Sequence, residues 1–385
     1  MLNSLKKILL SAFIFISCLN AQQNSEPSTT CKGCHPTIYN EFYDSSHRKA
    51  SIYNNQIHKA SWDAQNANGE KSYTCAKCHT PSDSELISQL NNSQKIVKPK
   101  ENLAQNHDAI SCIYCHSIES IKKEDKHNIN ILSKKDKVLF AANEKNRNAK
   151  EVSFKEEKSL YGLFKKKTGS PFHKIDYSNK DYYNGNTCMG CHATLRHNDT
   201  ELFNITDANK KEDLETNCIT CHMPKVKGTT TTIKKTKEHR FHGFAGARFK
   251  QELLSKYVKI KFQSSKKFFN ISIKNEASHE MFIHPLRTAA LQIEILRGDT
   301  IIKLDQVKFE KIIDQNTKPY TYKGNMIKAN ENRIIKYDFE LQEKDGVSVI
   351  LGYYLVNPNK LKDLKLEDDK ESTQFHILKK KFFTK

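Results

Sequence analysis

The sequence is short of apolar residues. Only 37% of its 385 residues are hydrophobic and the mean hydropathy is −0.71, below the usual range for a globular chain. The first 220 or so residues are too polar to build an ordinary side-chain core. The apolar run Ile8 to Leu19 is shorter than a membrane-spanning helix requires. Acidic residues are outnumbered, 44 against 63 basic ones, for a formal charge of +19. Cysteine is absent after Cys221, and no C-x-x-C lacks a histidine directly behind it.

The cysteines present are strictly ordered. The pentapeptide C-x-x-C-H occurs five times: Cys31/Cys34/His35, Cys75/Cys78/His79, Cys112/Cys115/His116, Cys188/Cys191/His192 and Cys218/Cys221/His222. This is the pattern of c-type haem attachment. Two thiols three positions apart each form a thioether to one vinyl group of the same porphyrin, and the histidine behind them becomes the proximal iron ligand. Structural zinc also uses C-x-x-C pairs. Five copies with histidine always in the same place argue against zinc, and tight C-x-x-C pairs argue against a disulfide scaffold. The cofactor expected is therefore haem c, five copies, covalently attached. Their apolar faces would replace the missing side-chain core, and without them the polypeptide should be largely unfolded.

Residues 1–21 read as an export signal, with Lys6-Lys7 ahead of the apolar run and a cleavage site at Leu19-Asn20-Ala21. Cys18 offers an alternative as a lipidated cysteine, which would bring the protein to a membrane. The expected location is periplasmic in either case. Residues 22–30 read as a polar tether and 31–250 as the pentahaem domain, its motif histidines 44, 37, 76 and 30 positions apart. Short helices are expected around the motifs, and an exposed helical excursion over the lysine-rich stretch Ile121 to Lys167. From Tyr257 to Val356 the apolar residues alternate in the strand period, and Arg297-Gly298-Asp299 reads as a hairpin turn. Six or seven strands without cysteine suggest a small β-sandwich over 255–357, followed by a charged tail, 358–385. The expected fold class is α+β: an irregular, mostly helical multihaem domain organised by haem packing, then a small β-sandwich.

Each motif fixes one side of an iron. Eleven further histidines compete for the other side. The candidates are His47, His107, His173, His239 and His242, with His58, His127 and His197 behind them and His376 read as solvated tail. The segment Ser278 to Arg287 in the β region is either a polar loop or a reach back toward the haems. In the second case His279 or His284 meets a haem, or Arg287 faces a propionate or an anionic substrate.

Cys31-Lys32-Gly33-Cys34-His35-Pro36 with Tyr39, Phe42, Ser46-His47 and Ala50 resembles the opening of the cytochrome c-554-like multihaem proteins. Cys78-His79-Thr80-Pro81 and Ala109-Ile110-Ser111-Cys112-Ile113-Tyr114-Cys115-His116-Ser117 are similar to that family's middle motifs. The resemblance covers roughly 31–242. It implies a distal-ligand role for His47 and, by motif context, for His107 and His173. It also implies closely stacked haems and electron carriage in the periplasm. The best-known members have four haems, so haem order does not transfer to a chain with five motifs and a β region.

The function expected is electron transfer between redox partners, with a multihaem reductase or oxidase of a small nitrogen or sulfur compound as the alternative. A docking subunit is a third class. Pentahaem nitrite reductases use a C-x-x-C-K motif, which does not occur here. Removing the leader takes away Lys6 and Lys7, leaving 19 − 2 = +17, and five ferric haems with their propionates subtract roughly 5 more. A basic holoprotein suits acidic docking surfaces on partner proteins, or a small anionic substrate. Nucleic acid is a poor partner for an exported chain whose lysines are spread along its length.

Overall fold

The computed structural model describes residues 26–67, 75–92, 108–124, 128–159, 164–197, 200–205, 217–314 and 321–385. The expected export signal, Cys18, His107 and His127 lie outside the described residues. The fold is α+β.

The N-terminal part is made of short helices and two-stranded pieces. Pro36–Tyr43 begins with proline, whose fixed φ suits a first helical position, and it buries Tyr39 and Phe42. Gln56–Ala67 is twelve residues long. Ser84–Asn91 is capped by Asp83, which accepts from Leu86 N–H at 3.0 Å. Strands β1 (Ile118–Lys122) and β2 (Ile129–Leu132) form one antiparallel pair, and β4 (Lys155–Ser159) and β5 (Phe164–Thr168) another. β3 (Val138–Phe140) runs parallel to β6 (Lys174–Asp176). β7 (Thr194–His197) pairs with β8 (Thr200–Asn204), and β9 (Lys225–Lys227) with β10 (Glu238–Arg240).

The helical excursion expected over Ile121 to Lys167 is corrected: its described residues hold strands and one 3-10 turn at Glu144–Asn146. Cross-strand charge decides part of it. Glu156 stands opposite Lys167 and Glu157 opposite Lys166, and opposite charges across a ladder favour pairing. The tether assignment also ends early. Ser28 is fully buried, and its N–H donates to Asp108 Oδ2 at 2.8 Å.

From Val258 the pattern is β throughout. β11 (Val258–Ser264), β12 (Phe269–Asn275) and β17 (Asn332–Tyr337) form a three-stranded sheet. The larger sheet is centred on β13 (Thr288–Arg297), with β14 (Thr300–Lys303), β15 (Val307–Asp314), β16 (Thr321–Gly324), β18 (Gly346–Tyr354) and β19 (His376–Thr384). The hairpin expected at Arg297-Gly298-Asp299 is present, but its turn is only Gly298-Asp299, since Arg297 pairs with Thr300, and Gly298 stands at φ +58°. The two sheets share one core in which Phe269, Ile271, Leu291, Ile295, Val347 and Leu351 are fully buried. Alternation explains it, since β12 reads buried at every second residue.

The tail assignment, 358–385, is corrected by the same sheet. β19 pairs with β18 along its length, and His376 stacks on Tyr353 at 5.5 Å. Lysines at 379, 380 and 381 mark this outer strand as an edge that resists further pairing. The N-terminal part has no comparable core: its buried cluster among the described residues is Ile52, Trp62, Ala76 and Leu86.

Candidate functional site

All five C-x-x-C-H peptides form a single helical turn. The His35 N–H donates to the Cys31 carbonyl at 2.8 Å and the His79 N–H to the Cys75 carbonyl at 2.9 Å. Cys112–His116, Met189–His192 and Cys218–His222 are helical by the same spacing. One turn places positions i, i+3 and i+4 on one face, so both thiols and the histidine point the same way. Two of the turns are nailed at their starts. Ser111 Oγ accepts from Tyr114 N–H at 3.1 Å. Asn217 Oδ1 accepts from Ile219 and Thr220, while Thr220 Oγ1 accepts from Asn217 N–H, a reciprocal cap.

Every motif histidine faces one other histidine from elsewhere in the chain. Ring centres are 6.5 Å apart for His35 and His173, 6.0 Å for His192 and His47, 6.3 Å for His116 and His242, and 6.2 Å for His222 and His279. Two metal–nitrogen bonds of about 2 Å in line, plus the ring radii, put two imidazole centres about 6 Å apart. The fifth pair, His79 and His58, stands closer at 4.3 Å, and its rings must separate by about 2 Å to flank a metal. Among the described residues no group of three or more His, Cys, Asp or Glu is placed to hold a metal ion. A structural zinc site needs four protein ligands; an iron inside a macrocycle needs two.

The ring tautomers agree with this geometry. Nδ1 lies on a backbone carbonyl in His35 (Thr230, 2.7 Å), His116 (Phe140, 2.6 Å), His222 (Ala245, 2.6 Å), His58 (Ala50, 2.7 Å), His242 (Arg240, 2.7 Å) and His279 (Glu280, 2.8 Å), and at 3.3 Å (Lys174) in His173. A ring that donates from Nδ1 keeps its Nε2 lone pair for a metal. Burial, aided by neighbouring histidines, also keeps rings neutral. The pKa is pushed down to about 3 for His47 and His242, about 2 for His58 and about 4 for His192.

Of the expected distal candidates, His47, His173 and His242 each stand opposite a motif histidine. His239 does not, which corrects that expectation. Its Nε2 lies 2.9 Å from Glu41 Oε1 in a buried site, on β10, whereas His242 lies in the turn that follows the strand. Glu41 Oε2 also accepts from His242 N–H at 2.9 Å, so this carboxylate positions the paired ring. Sequence reasoning underrated His58 and left His279 as one of two readings of a loop. It missed Glu41 and Phe244, whose ring meets His47 edge-on at 4.1 Å.

Residues 30–117 match the family model described as cytochrome c554 and c-prime. The crystal structure of a penta-heme cytochrome c552 from Thermochromatium tepidum shares the fold, with a TM-score of 0.67 and 16% identity over 94% of this chain and 99% of that one. Residues 30–117 thus carry the sequence pattern of that cytochrome family, and the chain shares its fold with a penta-heme cytochrome. A superoxide reductase from Nanoarchaeum equitans matches 26% of the chain and 81% of its own length at a TM-score of 0.17 and 13% identity. No curated protein matches.

The arrangement of the five motif peptides is given by which of them touch. Thiols of different motifs meet: Cys31 with Cys112, Cys78 with Cys191, and Cys188 with Cys218. Sharing a hydrogen bond pulls Cys31 down to about 7 and pushes Cys112 up. Cys115 lies within electrostatic reach of both Cys188 and Cys191. The first motif thus neighbours the third, the third neighbours the fourth, and the fourth neighbours both the second and the fifth. Tyr182 braces the centre: its hydroxyl donates to the Cys115 and Ile118 carbonyls, and its ring lies 6.1 Å from His116.

Proposed function

We propose that this protein is a periplasmic electron-transfer cytochrome with five haems c, each held between two histidines. The observation that carries this reading is the pairing of every motif histidine with a second histidine. The proximal ligands are His35, His79, His116, His192 and His222, and the distal ligands in the same order are His173, His58, His242, His47 and His279. Haem supplies one-electron redox chemistry. The chain's own residues occupy both axial sides, which favours moving electrons over binding a substrate at iron. The alternative of a reductase or oxidase with one open haem has no unpaired motif histidine to rest on.

The motif contacts support a branched route for electrons. It runs from the first motif through the third to the fourth, and there divides toward the second and the fifth. The positive charge of the chain supports redox partners with acidic docking surfaces. The leader-like N-terminus supports export.

The test is haem stoichiometry by mass and pyridine haemochrome, followed by electron paramagnetic resonance of the oxidised protein. Five haems per chain, all low-spin and unchanged by carbon monoxide or cyanide, are expected. A high-spin component in the intact protein that binds nitrite, hydroxylamine or sulfite would sink the carrier reading and restore the enzyme.

A further inference from the structure

The turn that carries His279 continues through Phe282, at φ +59°, to His284 and Arg287, which the histidine pairs do not use. Its backbone is fixed. Arg287 N–H donates to the His284 carbonyl at 3.0 Å, and Asn357 N–H donates to the Leu286 carbonyl at 2.6 Å. The Leu286 N–H donates to His284 Nδ1 at 3.2 Å. That bond puts the proton of the neutral ring on Nε2, the reverse of the rings that donate from Nδ1. His284 therefore presents an N–H where those rings present a lone pair.

Arg287 is partly buried, and burial pushes its pKa down to about 10. Its guanidinium has no hydrogen-bond or ion-pair partner among the described residues. The acids nearby are taken: Glu371 by Arg248 at 2.6 Å, and Glu280 by Lys311. A partly buried guanidinium without a counter-anion is left uncompensated, and its forked N–H groups match a planar oxyanion. The place is beside the second motif. Burial, then Arg287 and His79, depress His284, and Arg248 acts on both His58 and His79.

We propose that Arg287 and His284 bind an oxyanion at the edge of the haem held by Cys75 and Cys78, and that this oxyanion is a propionate carboxylate of that haem. The proposal rests on the haem reading above. The loop would then serve two branches at once, ligating the fifth haem through His279 and anchoring the second through Arg287.

The experiment uses the purified holoprotein and the variants Arg287→Gln, Arg287→Lys and His284→Gln. Haem stoichiometry is measured on each, followed by a spectroelectrochemical titration with and without added nitrite or sulfite. Arg287→Gln should lower the midpoint of one haem, because an uncompensated propionate favours the oxidised iron, while all haems stay low-spin. Arg287→Lys should restore part of the shift, His284→Gln should give a smaller one, and added anions should change nothing in the wild type. An anion-dependent midpoint in the wild type that Arg287→Gln abolishes would keep the site but overturn the propionate as its occupant. Unchanged midpoints in Arg287→Gln, with five haems present, would overturn the site. A missing haem at Cys75/Cys78 in the wild type would instead overturn the haem reading.

Discussion

His279 and His222 face each other with ring centres 6.2 Å apart and planes 14° from parallel, although one lies on a turn of the β region and the other in the last C-x-x-C-H. His222 is held on its far side by the Ala245 carbonyl. The segment behind Ala245 is fastened to the β region in turn. Tyr353 Oη donates to the Ala247 carbonyl at 2.6 Å, and Arg248 pairs with Glu371. The fifth motif is therefore clamped by the two sheets, which supply structure that the polar N-terminal sequence cannot.

Replacing His279 by Ala should open one coordination position in five. The expected outcome is a high-spin ferric signal and carbon monoxide binding at about one haem per chain, with all thioethers intact. If His279→Ala remains fully low-spin, His279 is not the distal ligand.

His239 and His242 separate position from proximity. His242→Ala should convert one haem to high-spin. His239→Ala should leave every haem low-spin and cost about 1 kcal/mol of stability, since it takes one of two partners from the partly buried Glu41 carboxylate. A high-spin signal in His239→Ala would reverse the two assignments.

The sequence made the motif side of each centre legible because thioether chemistry ties Cys, Cys and His to one helical turn. The opposite side was not legible, because a distal histidine needs only to arrive in space. His173 lies far in sequence from His35 and His242 far from His116, and no local pattern records either meeting. His239 was attractive for the same reason His242 was, and only the partners distinguish them: Glu41 Oε1 takes the His239 ring, whereas the His242 ring faces His116. The β strands were readable from period-two burial in β12. β19 was hidden by its lysines, which belong to an edge strand and read as tail.

The cores of the two parts differ in kind, and haem removal should show it. The β region buries Phe269, Ile271, Leu291 and their neighbours among themselves, whereas the described residues of the N-terminal part form a buried cluster of four. Chain produced without haem attachment should keep a cooperative β unfolding transition and lose the helical circular dichroism of the N-terminal part. A compact, helical apo form would contradict the view that porphyrin faces replace its core.

The ring geometry of the proposed ligand pairs would set one haem apart spectroscopically. The planes of His47 and His192 meet at 76°, while the other pairs lie between 14° and 36°. Near-perpendicular imidazoles act on both iron π-orbitals alike and leave them nearly degenerate. One of the low-spin signals should therefore be strongly anisotropic and the rest rhombic. Freeing the His47 ring by Phe244→Ala, which removes its edge-on packing at 4.1 Å, should shift that signal most, with a smaller effect on the haem of His242, whose ring Phe244 meets at 6.2 Å.

Asp345 gives the β region a pH limit. Its carboxylate, 1% exposed, takes both Arg297 Nε at 3.1 Å and Nη2 at 2.7 Å, and also the Gln342 N–H at 2.8 Å. The Arg297 guanidinium holds its pKa below the ordinary 3.8. Its folded value lies below its unfolded one, so this stabilisation is fully present above about pH 4 and is lost as pH falls through the folded value. Asp345→Asn keeps the size but removes the charge, and should cost about 1–3 kcal/mol at neutral pH. The difference between wild type and variant should shrink as the medium is acidified below pH 4. Urea unfolding followed by tyrosine fluorescence at several pH values checks both statements, and a pH-independent difference would show that the charge at Asp345 is not what holds this corner of the sheet.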